Sequence, residues 1–307
     1  MYLYTLNRPS FQDKIAGFEC FCLTGIKSCN NFVLSEKYID IDYAAYINEC
    51  VRILFIEKDI TALYEKIRNM GFTDDNFKIT FINTGMHFDF QNRKKYEKVI
   101  SDIFSGVPDL KNPNIEFIIT YADKMWIFGE KIKRTQNRWL IYDKKPYTFC
   151  NSLPARMARA IVNIATAGDI NLKLVDPCCG MGSCILEAMD MKIDIQGFDI
   201  NETIVEDANK NLLHFGFEPI IKVGDASKIK GSYDAAILDL PYGLLSKIGS
   251  DKYLEIIGNI RKACSRAVIL SAADITDIIK DSKFKIINGC IVHKGGLDRH
   301  IVLCGND

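Results

Sequence analysis

Residues 172–200 read LKLVDPCCGMGSCILEAMDMKIDIQGFDI. The opening residues Leu172–Asp176 are a short apolar run that stops at Pro177. Gly180 and Gly182 then supply a tight turn, and over Met181–Met191 the residues Ile185, Leu186, Ala188 and Met189 gather on one side of a helical pattern. Ile193–Ile200 reads as a second strand and carries Asp199 near its end. Strand, turn, helix and strand in so short a stretch make the repeating unit of a parallel sheet covered by helices.

The alternation continues toward the C-terminus. Glu202–Phe215 is helical in pattern and stops at Gly216; Pro219–Val223 reads as a third strand, followed by Gly224-Asp225. Tyr233–Leu238 is a fourth strand, Tyr253–Cys264 a helix, Ala267–Ser271 a fifth strand and Ile275–Lys280 a helix. Phe284–Val292 and His300–Cys304 flank Lys294-Gly295-Gly296, a separation too short for a parallel crossover, so the last strand is expected antiparallel. The expected fold class is α/β: a seven-stranded, mostly parallel sheet with helices on both faces, over 151–307.

The N-terminal half reads as a smaller α+β domain, 1–130. Val51–Ile56, Phe77–Ile82, Ile115–Thr120 and Met125–Phe128 look like strands, with helices at Ile60–Met70 and Lys94–Phe104. Residues 1–45 give no clear pattern. The stretch 131–150 reads as a basic linker. Its Lys131, Lys133, Arg134, Arg138, Lys144 and Lys145 face a single acid, Asp143, with Trp139, Tyr142 and Tyr147 interleaved. Cations beside stacking rings are what an RNA-binding surface requires, and a solvated linker is the plainer alternative. Residues 93–98, RKKYEK, read as the polar face of a helix.

Formal net charge is zero, which argues against holding nucleic acid by bulk charge. No apolar run reaches the ~18 residues that span a bilayer. The start, MYLYTLNRPSFQDK, lacks the pattern of a signal peptide. Eleven cysteines without an export signal are expected as free thiols in the cytoplasm. Cys20-x-Cys22 and Cys29 have no second ligand pair, so no metal is expected.

The chemistry is expected at the strand ends, where open parallel sheets bind ligands. Asp199 lies 23 residues after Asp176, a spacing suited to a carboxylate taking two ribose hydroxyls. Asp225 and the Ala226 N–H can receive an adenine amino group. Asp239-Leu240-Pro241-Tyr242 presents a carboxylate and a carbonyl to a planar amino group, with Pro241 stiffening the turn and Tyr242 stacking on the ring. A full Gly-x-Gly-x-x-Gly is absent because position 185 is Ile. An adenosine with a cationic sulfonium tail therefore fits better than a dinucleotide, since Asp176 would repel a phosphate. Taken singly, each aspartate could be a helix cap or turn residue. The expected cofactor is S-adenosylmethionine, held by Asp176, Pro177, Cys178, Gly180, Gly182, Asp199, Ile200, Asp225, Ala226 and Asp239.

The sequence Asp-Pro-Cys-Cys-Gly-Met-Gly-Ser (176–183), Gly-Phe-Asp-Ile-Asn (197–201), Gly-Asp-Ala (224–226) and Asp-Leu-Pro-Tyr (239–242) resembles the Rossmann-fold, S-adenosylmethionine-dependent RNA methylases that act on guanine N2 of tRNA. Asn151–Asn163 is similar to the helix preceding their catalytic core. Val107–Phe117 resembles the end of a THUMP domain, the RNA-binding module found in that family. The resemblance implies Asp239, Leu240, Pro241 and Tyr242 as the catalytic turn, RNA, most readily tRNA, as the partner, and transfer of a methyl group to an exocyclic amine. Adenine N6 or a protein glutamine is an alternative acceptor. A catalytically silent RNA-binding subunit and a nicotinamide oxidoreductase are readings from other classes.

Overall fold

The computed structural model describes residues 1–28, 30–149, 151–241, 249–294 and 297–306. The chain divides into two compact units. The first comprises Met1–Asn7, Ile26–Ile41 and Ile47–Gln136; the second comprises Arg8–Gly25, Asp42–Tyr46 and Asn137–Asp307.

The first unit is built on a six-stranded sheet of β1 (Tyr2–Leu6), β2 (Phe32–Ser35), β3 (Ile47–Glu57), β4 (Phe77–Phe81), β5 (Ile115–Ala122) and β6 (Met125–Arg134), in the order β2-β1-β3-β6-β5-β4. Only the β4–β5 pairing is parallel. The β5–β6 hairpin turns on Asp123 and Lys124, both at positive φ, the handedness that matches the twist of paired strands. Helices α2 (Ile60–Asn69) and α3 (Phe90–Ile103) begin where Asp59 and Asp89 accept bonds from first-turn N–H groups. Leu63, Ile67 and Ile100 on these helices pack on Phe77, Phe81, Phe117 and Phe128. β1 and β2 were not legible in the sequence.

The second unit carries a seven-stranded sheet: β7 (Lys173–Asp176), β8 (Asp194–Asp199), β9 (Lys222–Val223), β10 (Tyr233–Asp239), β11 (Cys264–Ser271), β12 (Lys285–Lys294) and β13 (Leu297–Gly305), ordered β12-β13-β11-β10-β7-β8-β9. Pairings from β9 to β11 are parallel, and β13 runs antiparallel to both its neighbours, as expected. Its helices are α1 (Asp13–Thr24), α4 (Ala155–Thr166), α5 (Ser183–Asp190), α6 (Glu202–His214), α7 (Gly249–Ala263) and α8 (Thr276–Asp281). Leu174, Val175 and Ala235–Leu238 are fully buried, the continuous apolar pattern of strands covered on both faces. One core gathers α1, α4, α5 and α6, and the other gathers α7 and α8.

Three expectations are corrected here. Helix α1 packs with α4 in the second unit, so 1–130 is not one domain. The expected third strand, Pro219–Val223, is paired only over Lys222–Val223. The stretch 131–150 is not a linker. Residues 131–134 lie in β6, and Arg138–Lys144 forms a 3-10 helix whose Trp139 and Tyr142 are buried in the second unit. The guanidinium groups of Arg156 and Arg159 lie over the Trp139 ring, which makes it a packing element and not a surface for bases.

Candidate functional site

The carboxyl ends of β7, β8, β9 and β10 surround a cavity of about 660 Å³, within the usual range for small-molecule sites. It is lined by Asp176, Pro177, Cys178, Gly180, Asp199, Ile200, Asp225, Ala226, Asp239, Leu240 and Pro241, with Phe149–Leu153 along one wall (Cys150 lies outside the described residues). The structure thus brings the expected acidic residues to one place. Gly182, also expected there, sits behind the wall: a Cβ at that position would meet Ile221 at 3.2 Å. Tyr242 lies outside the described residues.

The turn after β7 is possible because Gly180 and Gly182 adopt φ of 51° and 77°, which carry little cost without a Cβ. A Cβ on Gly180 would meet nothing within 4 Å, so the backbone there opens onto free space. Asp199 Oδ2 accepts from the Gly180 N–H at 3.1 Å and its Oδ1 from the Asn201 N–H at 3.0 Å, so the ends of β7 and β8 are tied through this carboxylate. Asp225 Oδ1 accepts from the Ser227 N–H at 2.9 Å and from Ser227 Oγ at 2.8 Å. These bonds, with Lys252 and Lys228 nearby, hold its carboxyl below the usual range. Leu240 donates its N–H to the Leu270 carbonyl at 3.0 Å, and the Tyr253 hydroxyl donates to the Pro241 carbonyl at 2.8 Å, so the turn after β10 is fixed on both sides.

Asp176 is the electrostatic centre of the cavity. It is 3% exposed, and its Oδ1 accepts from the Cys178 N–H at 3.3 Å. Burial pushes its carboxyl well above the usual range, and the charges of Asp239 and Asp199 push it further. A cation entering here would relieve that cost, whereas a phosphate would add to it. The same burial and the same aspartates raise the Cys178 thiol, which is therefore protonated and not a nucleophile.

The expected RNA-binding cations are not gathered into one patch. In the first unit Lys131 pairs with Glu116, Lys133 with Asp40 at 2.6 Å, and Arg134 lies 3.9 Å from Glu49. In the second unit Lys145 is buried, and burial lowers its pKa; Arg138 and Lys144 are at the surface. The first unit instead shows a recess of about 360 Å³ lined by Lys78, Arg93 and Lys94 with Phe90. Phe90 is exposed, both Arg93 and Lys94 lie over its ring, and the Arg93 Nε is buried without a hydrogen-bond partner. Within the second unit the sequence reading also missed Lys252, Asn211 and Arg299. They reach the site from distant chain positions, so no local spacing announces them.

Comparison with known proteins places this site in a family context. Residues 143–257 match the UPF0020 family model, described as RMKL-like, methyltransferase domain. The chain is 29% identical over 212 residues to the tRNA (guanine(10)-N2)-dimethyltransferase of Pyrococcus abyssi, covering 63% of each chain. It is 32% identical over 114 residues to the enzyme of that name from Methanothermobacter thermautotrophicus, covering 36% of this chain and 33% of that one. The chain therefore spans less than two thirds of the length of either relative. TrmN from Thermus thermophilus shares the fold over 100% of this chain and 99% of its own, with a TM-score of 0.52 at 16% identity. The cavity-lining residues, from Phe149 to Ile256, all fall within the segment 143–257 that is similar to this methyltransferase domain.

Proposed function

We propose that this protein transfers a methyl group from S-adenosylmethionine to the exocyclic N2 amine of a guanine in tRNA. The observation that carries the reading is the set of four aspartates at the ends of β7, β8, β9 and β10 around one cavity, with the buried Asp176 among them. The names of the two relatives supply the acceptor.

The residues present fit the cofactor. Asp199 offers its carboxylate to ribose hydroxyls, and Asp225 with the Ala226 N–H offers an acceptor and a donor to adenine. Asp176 and Asp239 give the opposite end of the cavity a negative field suited to a sulfonium and an ammonium, and unsuited to the pyrophosphate of a dinucleotide. S-adenosylmethionine supplies a methyl on cationic sulfur: the N–C bond forms as the C–S bond breaks, and that electron pair stays on sulfur as a neutral thioether.

The chain's part is placement and charge. The N2 amine is a weak nucleophile because its lone pair is delocalised into the ring. Accepting its two hydrogens at the Asp239 carboxylate and the Leu240 carbonyl draws the nitrogen toward tetrahedral geometry and aims the lone pair into the cavity. The Asp239 carboxylate then takes the surplus amino proton and passes it to water. The base must leave its stack to reach so deep a turn.

The test is mass spectrometry of nucleosides from tRNA treated with the parent protein or with Asp239→Ala. The parent is expected to produce N2-methylated guanosine from S-adenosylmethionine. At saturating cofactor, Asp239→Ala should lose about a hundred- to a thousandfold in single-turnover rate. A folded Asp239→Ala variant that turns over near the parent rate refutes the mechanism. Methylation confined to adenine N6 or to a protein refutes the acceptor.

A further inference from the structure

The segment from Tyr147 to Leu153 is anchored at both ends, with Cys150 outside the described residues. At its start, Asn211 of α6, fully buried, accepts the Tyr147 N–H at 2.9 Å. It donates to the Tyr147 carbonyl at 2.9 Å and to the Met181 carbonyl, in the glycine turn, at 3.2 Å. Toward its end, Arg299 of β13, 8% exposed, donates to the Asn151 carbonyl at 3.1 Å. Between them Phe149 and Ser152 close a small turn: the Phe149 N–H donates to Ser152 Oγ at 3.1 Å, and the Ser152 N–H donates to the Phe149 carbonyl at 3.0 Å.

The two anchors lie toward opposite edges of the sheet. Helix α6 packs on β8, while β13 lies beyond β10 and β11. Arg299 precedes His300, which pairs with Ser271 at the carboxyl end of β11, the edge at which the cavity opens. The segment is therefore a strap along one wall of the cavity, held from α6 at its start and from β13 toward its end. Phe149 lines the cavity and is still 53% exposed, so its ring is offered to the entrance and not spent in the core.

We infer that Phe149 is a stacking platform for the heterocycle that receives the methyl group, holding it against the Asp239-Leu240-Pro241 turn. The inference rests on the proposed amino-methyltransferase reading. A pinned backbone makes such a platform effective, because the ring meets the base without ordering a loop. Stacking of one base on one aromatic ring is typically worth about ten- to a hundredfold in affinity.

The experiment compares full-length parent, Phe149→Ala and Phe149→Trp by calorimetric S-adenosylmethionine binding and by single-turnover methylation across a range of tRNA concentrations. Phe149→Ala is expected to bind cofactor within about twofold of the parent and to need roughly ten times more tRNA for half-maximal rate. Phe149→Trp should restore most of the loss, which a purely structural role would not. Parent-like tRNA dependence in Phe149→Ala overturns the inference. So does a loss confined to cofactor affinity, which would make the ring a cofactor cover. A parent that methylates no guanine in tRNA removes the underlying reading and this inference with it, an outcome distinct from an active parent with an indifferent Ala variant.

Discussion

Asp176 carries a cost that the rest of the cavity explains. A carboxylate buried beside two other acids binds a proton more tightly folded than unfolded. Its sign follows from that: stability falls as pH rises from the ordinary carboxylate range toward the raised folded value, because there the unfolded chain releases a proton that the folded state still holds. Glu187, which burial pushes up to about 8 against the pull of Arg159, contributes in the same direction between the ordinary carboxylate range and about 8. Asp176→Asn keeps an oxygen for the Cys178 N–H and removes the charge. It is expected to raise the melting temperature of the ligand-free protein at pH 7–8 by a few degrees, on the scale of about 1 kcal/mol. It should also weaken S-adenosylmethionine binding about tenfold or more, by loss of a charged partner. Thermal melts with and without cofactor decide it; a variant less stable than the parent at pH 8 would show that the carboxylate is not under electrostatic stress.

At the scale of elements, α4 is the piece that holds the second unit together. From Met157 to Thr166 every residue of it is buried, between α1, α5 and the sheet. Arg159 on this helix donates to Glu187 at 2.7 Å and to Asp190 at 2.8 Å, both on α5. It also donates to the carbonyls of Tyr43 at 3.2 Å and Asp42 at 3.0 Å. Asn163, one turn on, donates to the fully buried Glu19 of α1, which also accepts from the N–H groups of Ala45 and Tyr46. Three separate chain segments therefore meet on one helix face through charged hydrogen bonds. Removing the guanidinium leaves four acceptors, Glu187, Asp190 and the carbonyls of Asp42 and Tyr43, without this donor, so Arg159→Ala is expected to cost about 3–5 kcal/mol. Chemical denaturation at pH 7 measures this; a loss below 1 kcal/mol would mean that α4 is held by apolar packing alone.

At the scale of the whole molecule, the chain crosses between its two units before either is complete. Met1–Asn7 belongs to the first, Arg8–Gly25 to the second, Ile26–Ile41 to the first again, and Asp42–Tyr46 to the second. A fragment spanning 151–307, the boundary that the motifs alone would choose, lacks Ile15, Ala16 and Phe18 of α1 as well as Trp139 and Tyr142. All of these are buried in the core around α4. It also lacks Glu19, leaving Asn163 without that acceptor in an apolar setting. This fragment is expected to be insoluble or to melt well below the full chain and without a sharp transition. A fragment that melts cooperatively at the full-length temperature would show that α1 is dispensable.

The sequence by itself determined the sheet of the second unit and the strand ends around which its cavity lies. Parallel strands buried on both faces leave continuous apolar runs, as in β7, β10 and β11, β8 shows instead an alternation of apolar and polar residues, and tight turns leave glycine and proline, so these strands and the aspartates at their ends were legible. These are local signals, set by the few residues around each position. Only the tertiary structure assigned α1 to the second unit, because a helix without a marked apolar stripe records neither its presence nor the surface it will cover. Only it buried Trp139, Tyr142 and Lys145 and paired Lys131 and Lys133 with acids, since a row of cations and rings reads the same on a solvated surface as beneath one. The strap bearing Phe149 was likewise decided by distant partners, Asn211 and Arg299, whose hydrogen bonds join positions 64 and 148 residues apart along the chain.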